Sequence, residues 1–144
     1  MRQSFPKVKI IAVGKIKKGW LKAGIEIYQK RLPEVDIVEI KDAGKVQEAQ
    51  KLQSLLKPRD RLILLTEDGQ TFSSVQFARW LGQTASGKLV CFIGGPDGIS
   101  TELKQAHPTV SLSAMTFPHE VARLLLLEQL YRAKTILQGG SYHK

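Results

Sequence analysis

Cysteine is all but missing: Cys91 is the only one in the chain. A lone thiol excludes an intrachain disulfide framework, and no cysteine or histidine cluster stands at zinc-ligand spacing. Long apolar runs are missing too. The longest leucine run, Leu124 to Leu127, is far too short to cross a membrane. The stretch from Ile10 to Val13 is too short for the apolar part of a secretion signal. These absences lead us to expect a cytoplasmic protein with no membrane contact. Acidic residues are scarce, 13 against 22 lysines and arginines, so the net charge is +9. That balance favours an anionic partner: nucleic acid, an acidic membrane surface or an acidic protein.

What remains fits one domain over residues 1–144. Apolar residues make up 42%, enough for a core and too many for a disordered chain. Runs rich in β-branched residues at 8–13, 35–40, 61–65, 88–93 and 109–113 read as strands. Several are apolar at nearly every position, as buried parallel strands are. Between them lie helical patterns. Leu21, Ile25, Tyr28 and Leu32 share one face, ended by Pro33. Val46, Ala49, Leu52, Leu55 and Leu56 make a second, closed by Pro58. A third helix begins at Ser73, which stands at capping-box spacing from Gln76. A short fourth follows Ser100. A fifth runs from about Glu120 to Gln138, with Pro118 in its first turn and Gly139-Gly140 as its cap. The alternation predicts an α/β fold: a mainly parallel sheet with helices on both faces.

Ligands in such sheets bind beyond the carboxyl ends of strands. The residues after Leu65, Ile93 and Ser113 are therefore the candidates. Gly94-Gly95-Pro96-Asp97-Gly98 ends a buried strand and lets a ligand approach the backbone. It also reads as a plain tight turn. It has neither the dinucleotide glycine spacing nor the lysine of a phosphate loop. A branched side chain at Gly95 is expected to stand where ligand or backbone passes. The last helix carries Arg123, Glu128 and Arg132 among leucines that occupy more than one face, which suggests a partner surface as well as a core face. Glu128 and Arg132 have ion-pair spacing. Tyr142, His143 and Lys144 form either a frayed end or an RNA-competent tail.

Several segments together resemble the RlmH (YbeA) family of SPOUT-class methyltransferases. They are Val8–Val13 with Gly14-Lys15, Tyr28-Gln29-Lys30-Arg31-Leu32, and Phe92-Ile93-Gly94-Gly95-Pro96-Asp97-Gly98. With them go Ser111 through His119, Leu127-Glu128-Gln129-Leu130-Tyr131-Arg132-Ala133, and Tyr142-His143-Lys144. The likeness spans the chain in order and departs from the family by a shorter connection around Asp42 to Gln47. It implies a trefoil knot in the C-terminal half, a homodimer, and S-adenosyl-L-methionine as methyl donor, with no metal. It implies methylation of N3 of a pseudouridine in 23S rRNA, within the assembled ribosome. By the same likeness the donor would contact Leu65, Gly94, Gly95, Ser111, Leu112, Ser113, Ala114, Met115 and Thr116. Residue chemistry then suggests Glu128, Arg132, Tyr142 and His143 for the transfer step. His143 is the expected base, because histidine titrates near neutrality. Arg132 would stabilise charge developing on the imide. Two other readings stand beside this one: a SPOUT-fold tRNA methyltransferase and a non-catalytic basic RNA-binding module. A nucleotide-binding α/β protein is a weaker third, since the phosphate loop is missing.

Overall fold

Strands apolar at consecutive positions need cover on both faces, and this chain supplies it. The computed structural model describes residues 4–83 and 87–144. In chain order the elements are β1 (Val8–Val13), α1 (Gly19–Arg31), β2 (Val35–Ile40), α2 (Lys45–Leu55), β3 (Arg61–Thr71), α3 (Ser74–Gln83), β4 (Leu89–Ile93), α4 (Thr101–Ala106), β5 (Thr109–Ser111) and α5 (His119–Leu137). The sheet order is β2-β1-β4-β3-β5, and every pairing is parallel. Successive residues point to opposite faces. Ile10, Ala12, Ile63, Cys91 and Ile93 pack with Ile25 of α1, Phe77 and Leu81 of α3, and Leu127 and Leu130 of α5. Ile11, Val13, Leu62, Leu64, Val90 and Phe92 pack with Leu52 of α2 and Leu103 of α4. Burial pushes the Cys91 thiol up to about 12, so it stays protonated and unreactive.

The ends of the helices obey local chemistry. Gln76 N donates to Ser73 Oγ at 3.1 Å and Ser73 N donates to Gln76 Oε1 at 2.9 Å, the reciprocal capping box. Ser100 Oγ accepts from Leu103 N at the start of α4. Pro118 stands at the N-cap of α5, one step outside the turn where it was expected. Gly139 takes φ +73, and Gly140 N donates to Thr135 O at 2.7 Å, closing α5 in a Schellman motif.

One expectation changes. Strand β3 does not end at Leu65. Its polar continuation shifts register between Leu65 and Gln70, then pairs Gln70 with Val110 and Thr71 with Ser111. Gly69 makes this possible: a Cβ there would lie 2.7 Å from Val110 N and 2.8 Å from the Thr109 carbonyl carbon. Backbone cannot give way as a side chain can. Gly69→Ala should therefore cost about 2 kcal/mol, in the range for overpacking. A melting temperature equal to that of the parent would contradict this. Helix α5 carries leucines on more than one face, and Leu124 and Leu125 are half-buried within their own chain. Leu124 meets Gly24 of α1, and Leu125 lines a cavity with Phe77 of α3. Among the described residues, the large apolar side chains left exposed are Trp20, Ile27, Val46 and Met115, none of them on α5.

Candidate active site

The main cleft opens where β4 and β5 end and where β3 shifts register after Leu65. It holds about 550 Å³, within the range of small-molecule sites. Leu65, Gly94, Gly95, Leu112, Ser113, Met115 and Thr116 line it, so seven of the nine residues proposed for the cofactor come together. Ser111 and Ala114 do not. Ser111 is buried, its hydroxyl within bonding distance of Glu67 O (3.1 Å) and Ser113 O (2.8 Å), so it braces the loop from behind. It faces a smaller cavity of about 290 Å³ that shares Leu65, Leu112 and Phe117 with the cleft. Ala114 lies exposed at the turn between them.

The glycine loop is both a turn and a wall. Gly98 N donates to Gly95 O at 2.9 Å across Pro96 and Asp97, and Gly98 has φ +79. A Cβ on Gly95 would lie 2.8 Å from Val13 Cγ1, and one on Gly94 would lie 2.8 Å from Ile99 Cγ1. The side chain expected to obstruct a ligand at Gly95 would thus strike the core first. What the glycines present to the cleft is backbone.

Sequence reasoning missed the acidic rim. Glu67 and Asp68 line the cleft within the irregular part of β3. Glu67 accepts from Thr116 Oγ1 at 2.7 Å, tying the rim to the β5–α5 loop. The Thr66 hydroxyl, then Lys104 at 3.7 Å, hold the Asp68 carboxyl below its ordinary value. The signal was present, since Glu67-Asp68 directly follows a strand end already marked as a place to look. His119 and Ala122, from the first turn of α5, complete the wall. Among the described residues, no three His, Cys, Asp or Glu side chains gather as a metal site would require.

Glu128, Arg132, Tyr142 and His143 also come together, but elsewhere. Arg132 Nη2 lies 2.7 Å from Glu128 Oε1, and Arg132 Nη1 donates to His143 Nδ1 at 2.9 Å. Guanidinium is only a donor, so Nδ1 is the acceptor and the neutral ring carries its proton on Nε2. Arg132 also lies over the Tyr142 ring, 5.0 Å from its centroid. Tyr142 packs edge-on against Tyr131 at 4.7 Å, and its hydroxyl is 3.3 Å from that of Tyr28. The Tyr28 hydrogen bond, then burial, push the Tyr142 phenol up to about 12, so it stays neutral. The tail is therefore not frayed. Tyr28 and Arg31 explain the α1 motif noticed in the sequence: Arg31 lies over both the Tyr28 and Tyr131 rings, at 5.8 and 5.3 Å.

None of these four residues lines the cleft of its own chain. Arg132 follows Ala122 by ten residues on one helix, or about 15 Å along the axis. A single chain thus separates the cleft from the tail cluster.

Comparison with known proteins identifies the family. The family described as predicted SPOUT methyltransferase matches residues 7–143. A ribosomal RNA large subunit methyltransferase H from Synechococcus sp. (strain RCC307) is 50% identical over 139 residues, covering 96% of this chain and 95% of that one. One of the same name from Prochlorococcus marinus (strain MIT 9303) is 52% identical over 137 residues, covering 94% and 91%. A crystal structure of a probable methyltransferase from Bordetella pertussis Tohama I shares the fold, with TM-score 0.61 at 16% identity over 90% of this chain and 95% of that one. With its parallel sheet, its strand-end cleft and a match over nearly every residue, the chain belongs to the SPOUT methyltransferase family, among relatives named ribosomal RNA large subunit methyltransferase H.

Proposed function

We propose that this chain, as one methyltransferase domain, methylates N3 of a pseudouridine in 23S rRNA, in the cytoplasm and on the assembled ribosome. The observation that carries the reading is the strand-end cleft, in a chain about half identical to full-length relatives named for large-subunit rRNA methylation. The knot implied by the family belongs to the same proposal.

S-adenosyl-L-methionine, when bound, supplies a methyl group already made electrophilic by its sulfonium. The cleft suits it. Leu65, Leu112 and Met115 offer apolar walls, the glycine loop offers backbone, and Glu67 and Asp68 face a ligand that carries positive charge. Leu112→Arg would set a cation into an apolar wall against that ligand. Its Kd should rise more than about tenfold by calorimetry, a loss of roughly 1.4 kcal/mol. Parental affinity in a variant with unchanged circular dichroism would remove the site.

The protein's own residues must then orient the base and handle the N3 proton. We place this work on Arg132 and His143. Arg132 occupies the Nδ1 lone pair in the resting tail. When RNA enters, Arg132 turns to the imide carbonyl, where negative charge develops, and Nδ1 is freed to take the proton. Glu128 holds the guanidinium plane and Tyr142 stacks beneath it. The separation of cleft and tail favours a homodimer in which one subunit's tail serves the other's cleft. Mixing tail-deleted subunits with Leu112→Arg subunits should then restore methyl transfer that neither has alone. Mixtures as inactive as their components, under conditions where subunits exchange, would place both halves of the site in one chain.

A further inference from the structure

The loop after β1 and the start of α1 carry Lys15, Lys17, Lys18 and Lys22, all exposed, with no acidic residue between Gly14 and Ile25. Among the described residues none of these four ammonium groups has an ion-pair partner. Trp20 stands in their midst with 65% of its surface exposed. An indole left in water has no packing role to explain it, and single-stranded nucleic acid binds through this combination of cations for phosphates and a flat ring for a base. The patch is also fixed to the cleft. Buried Arg123 donates from Nη2 to Gly14 O at 3.0 Å and from Nη1 to Glu39 Oε2 at 2.6 Å. Lys17 N donates to Glu120 Oε1 at 2.7 Å. Arg123 and Glu120 stand on the same turns of α5 as His119 and Ala122 of the cleft wall. Beside the patch, Lys15, Lys22 and Arg123 line a groove of about 370 Å³ together with Glu26 and Glu39, so the unopposed cations are those of the loop and not of the groove.

We propose that this patch grips an unpaired stretch of the substrate RNA, with Trp20 stacked on a base and Lys15, Lys17, Lys18 and Lys22 on flanking phosphates, and so sets the register of the strand at the cleft. That the RNA is the methyl acceptor rests on the proposed function. A second copy of this chain is a poor occupant, since a symmetric contact would set lysines against lysines. An anionic membrane would meet only Trp20 and, two turns along α1, Ile27, too little apolar surface to insert.

The test uses Trp20→Ala, Trp20→Phe and the triple variant Lys15→Ala, Lys17→Ala, Lys18→Ala in the full chain. The probes are a fluorescent single-stranded RNA of mixed sequence, purified ribosomes with labelled methyl donor, and vesicles containing phosphatidylserine. Trp20→Ala should weaken RNA binding about tenfold or more, and Trp20→Phe should recover most of it. The triple variant should lower the slope of log affinity against log salt by about two. Both should raise the KM for ribosomes and leave the donor Kd unchanged. Parental RNA affinity and salt slope in these variants would overturn the proposal. So would a loss confined to vesicle binding, or a changed molecular mass, which would make the patch a membrane or subunit contact. If the parent protein fails to methylate ribosomes while the variants still lose RNA, the proposed function fails and the patch stands.

Discussion

Deletion of Tyr142, His143 and Lys144 is expected to abolish methyl transfer and to leave the donor Kd unchanged. Within one chain the cleft has no lining residue from the tail, and its donor-facing walls, Leu65, Leu112 and Met115, stay in place when the tail is removed. The tail does contribute to the fold, because Tyr142 packs on Tyr131 and reaches Tyr28. Its loss should lower stability by about 1 kcal/mol, the scale of one aromatic pair. Point variants separate the roles. His143→Ala should lower kcat more than it raises KM, as for a group acting in the transition state. Lys144→Ala should mainly raise the KM for RNA. Tyr142→Phe should keep the ring stacking and lose the Tyr28 contact, with a smaller fall in kcat. A deletion variant with the parental rate would show that the tail has no part in the reaction.

The second large effect should come from Arg123. Its side chain is 3% exposed and ties α5 to both β2 and the loop after β1. Glu39 is 40% exposed, so water partly stabilises the carboxylate that Arg123→Ala leaves behind. The expected cost is therefore about 2–3 kcal/mol, below the value for a fully buried pair. For a chain of this size that is a fall of roughly 10 °C in melting temperature. Glu39→Gln should cost less, and the double variant should cost less than the sum, because the two share one interaction. RNA affinity should fall in Arg123→Ala even well below its melting temperature, since the Gly14 carbonyl loses its donor. Parental stability in Arg123→Ala would show that the brace is not needed.

Much of this was legible in the residues. Alternation at Ile10 and Ile11, and at Leu62, Ile63 and Leu64, states that the sheet is covered twice, and the two core clusters follow it. Ser73 with Gln76 and Gly139 with Gly140 fix helix ends by hydrogen bonds that local sequence can specify. The continuation of β3 was not legible. Thr66 to Thr71 are polar and carry no apolar strand pattern, and only the pairing with Val110, forty residues on, makes them a strand. The cleft followed from the strand ends, but Ser111 and Ala114 turned away, because backbone reversal within a loop leaves no periodicity to read. The distance between cleft and tail was available from helix rise alone: His119 and Arg132 are thirteen residues apart on one helix, about 20 Å.

Methylation of the pseudouridine is read most directly on the product. Large-subunit rRNA from ribosomes that lack the modification should be incubated with the protein and labelled S-adenosyl-L-methionine, digested to nucleosides and analysed by mass spectrometry. One methyl group per 23S rRNA is expected, recovered as N3-methylpseudouridine, with transfer RNA unlabelled. Label in transfer RNA alone, or no label in any RNA while the donor still binds, would contradict it.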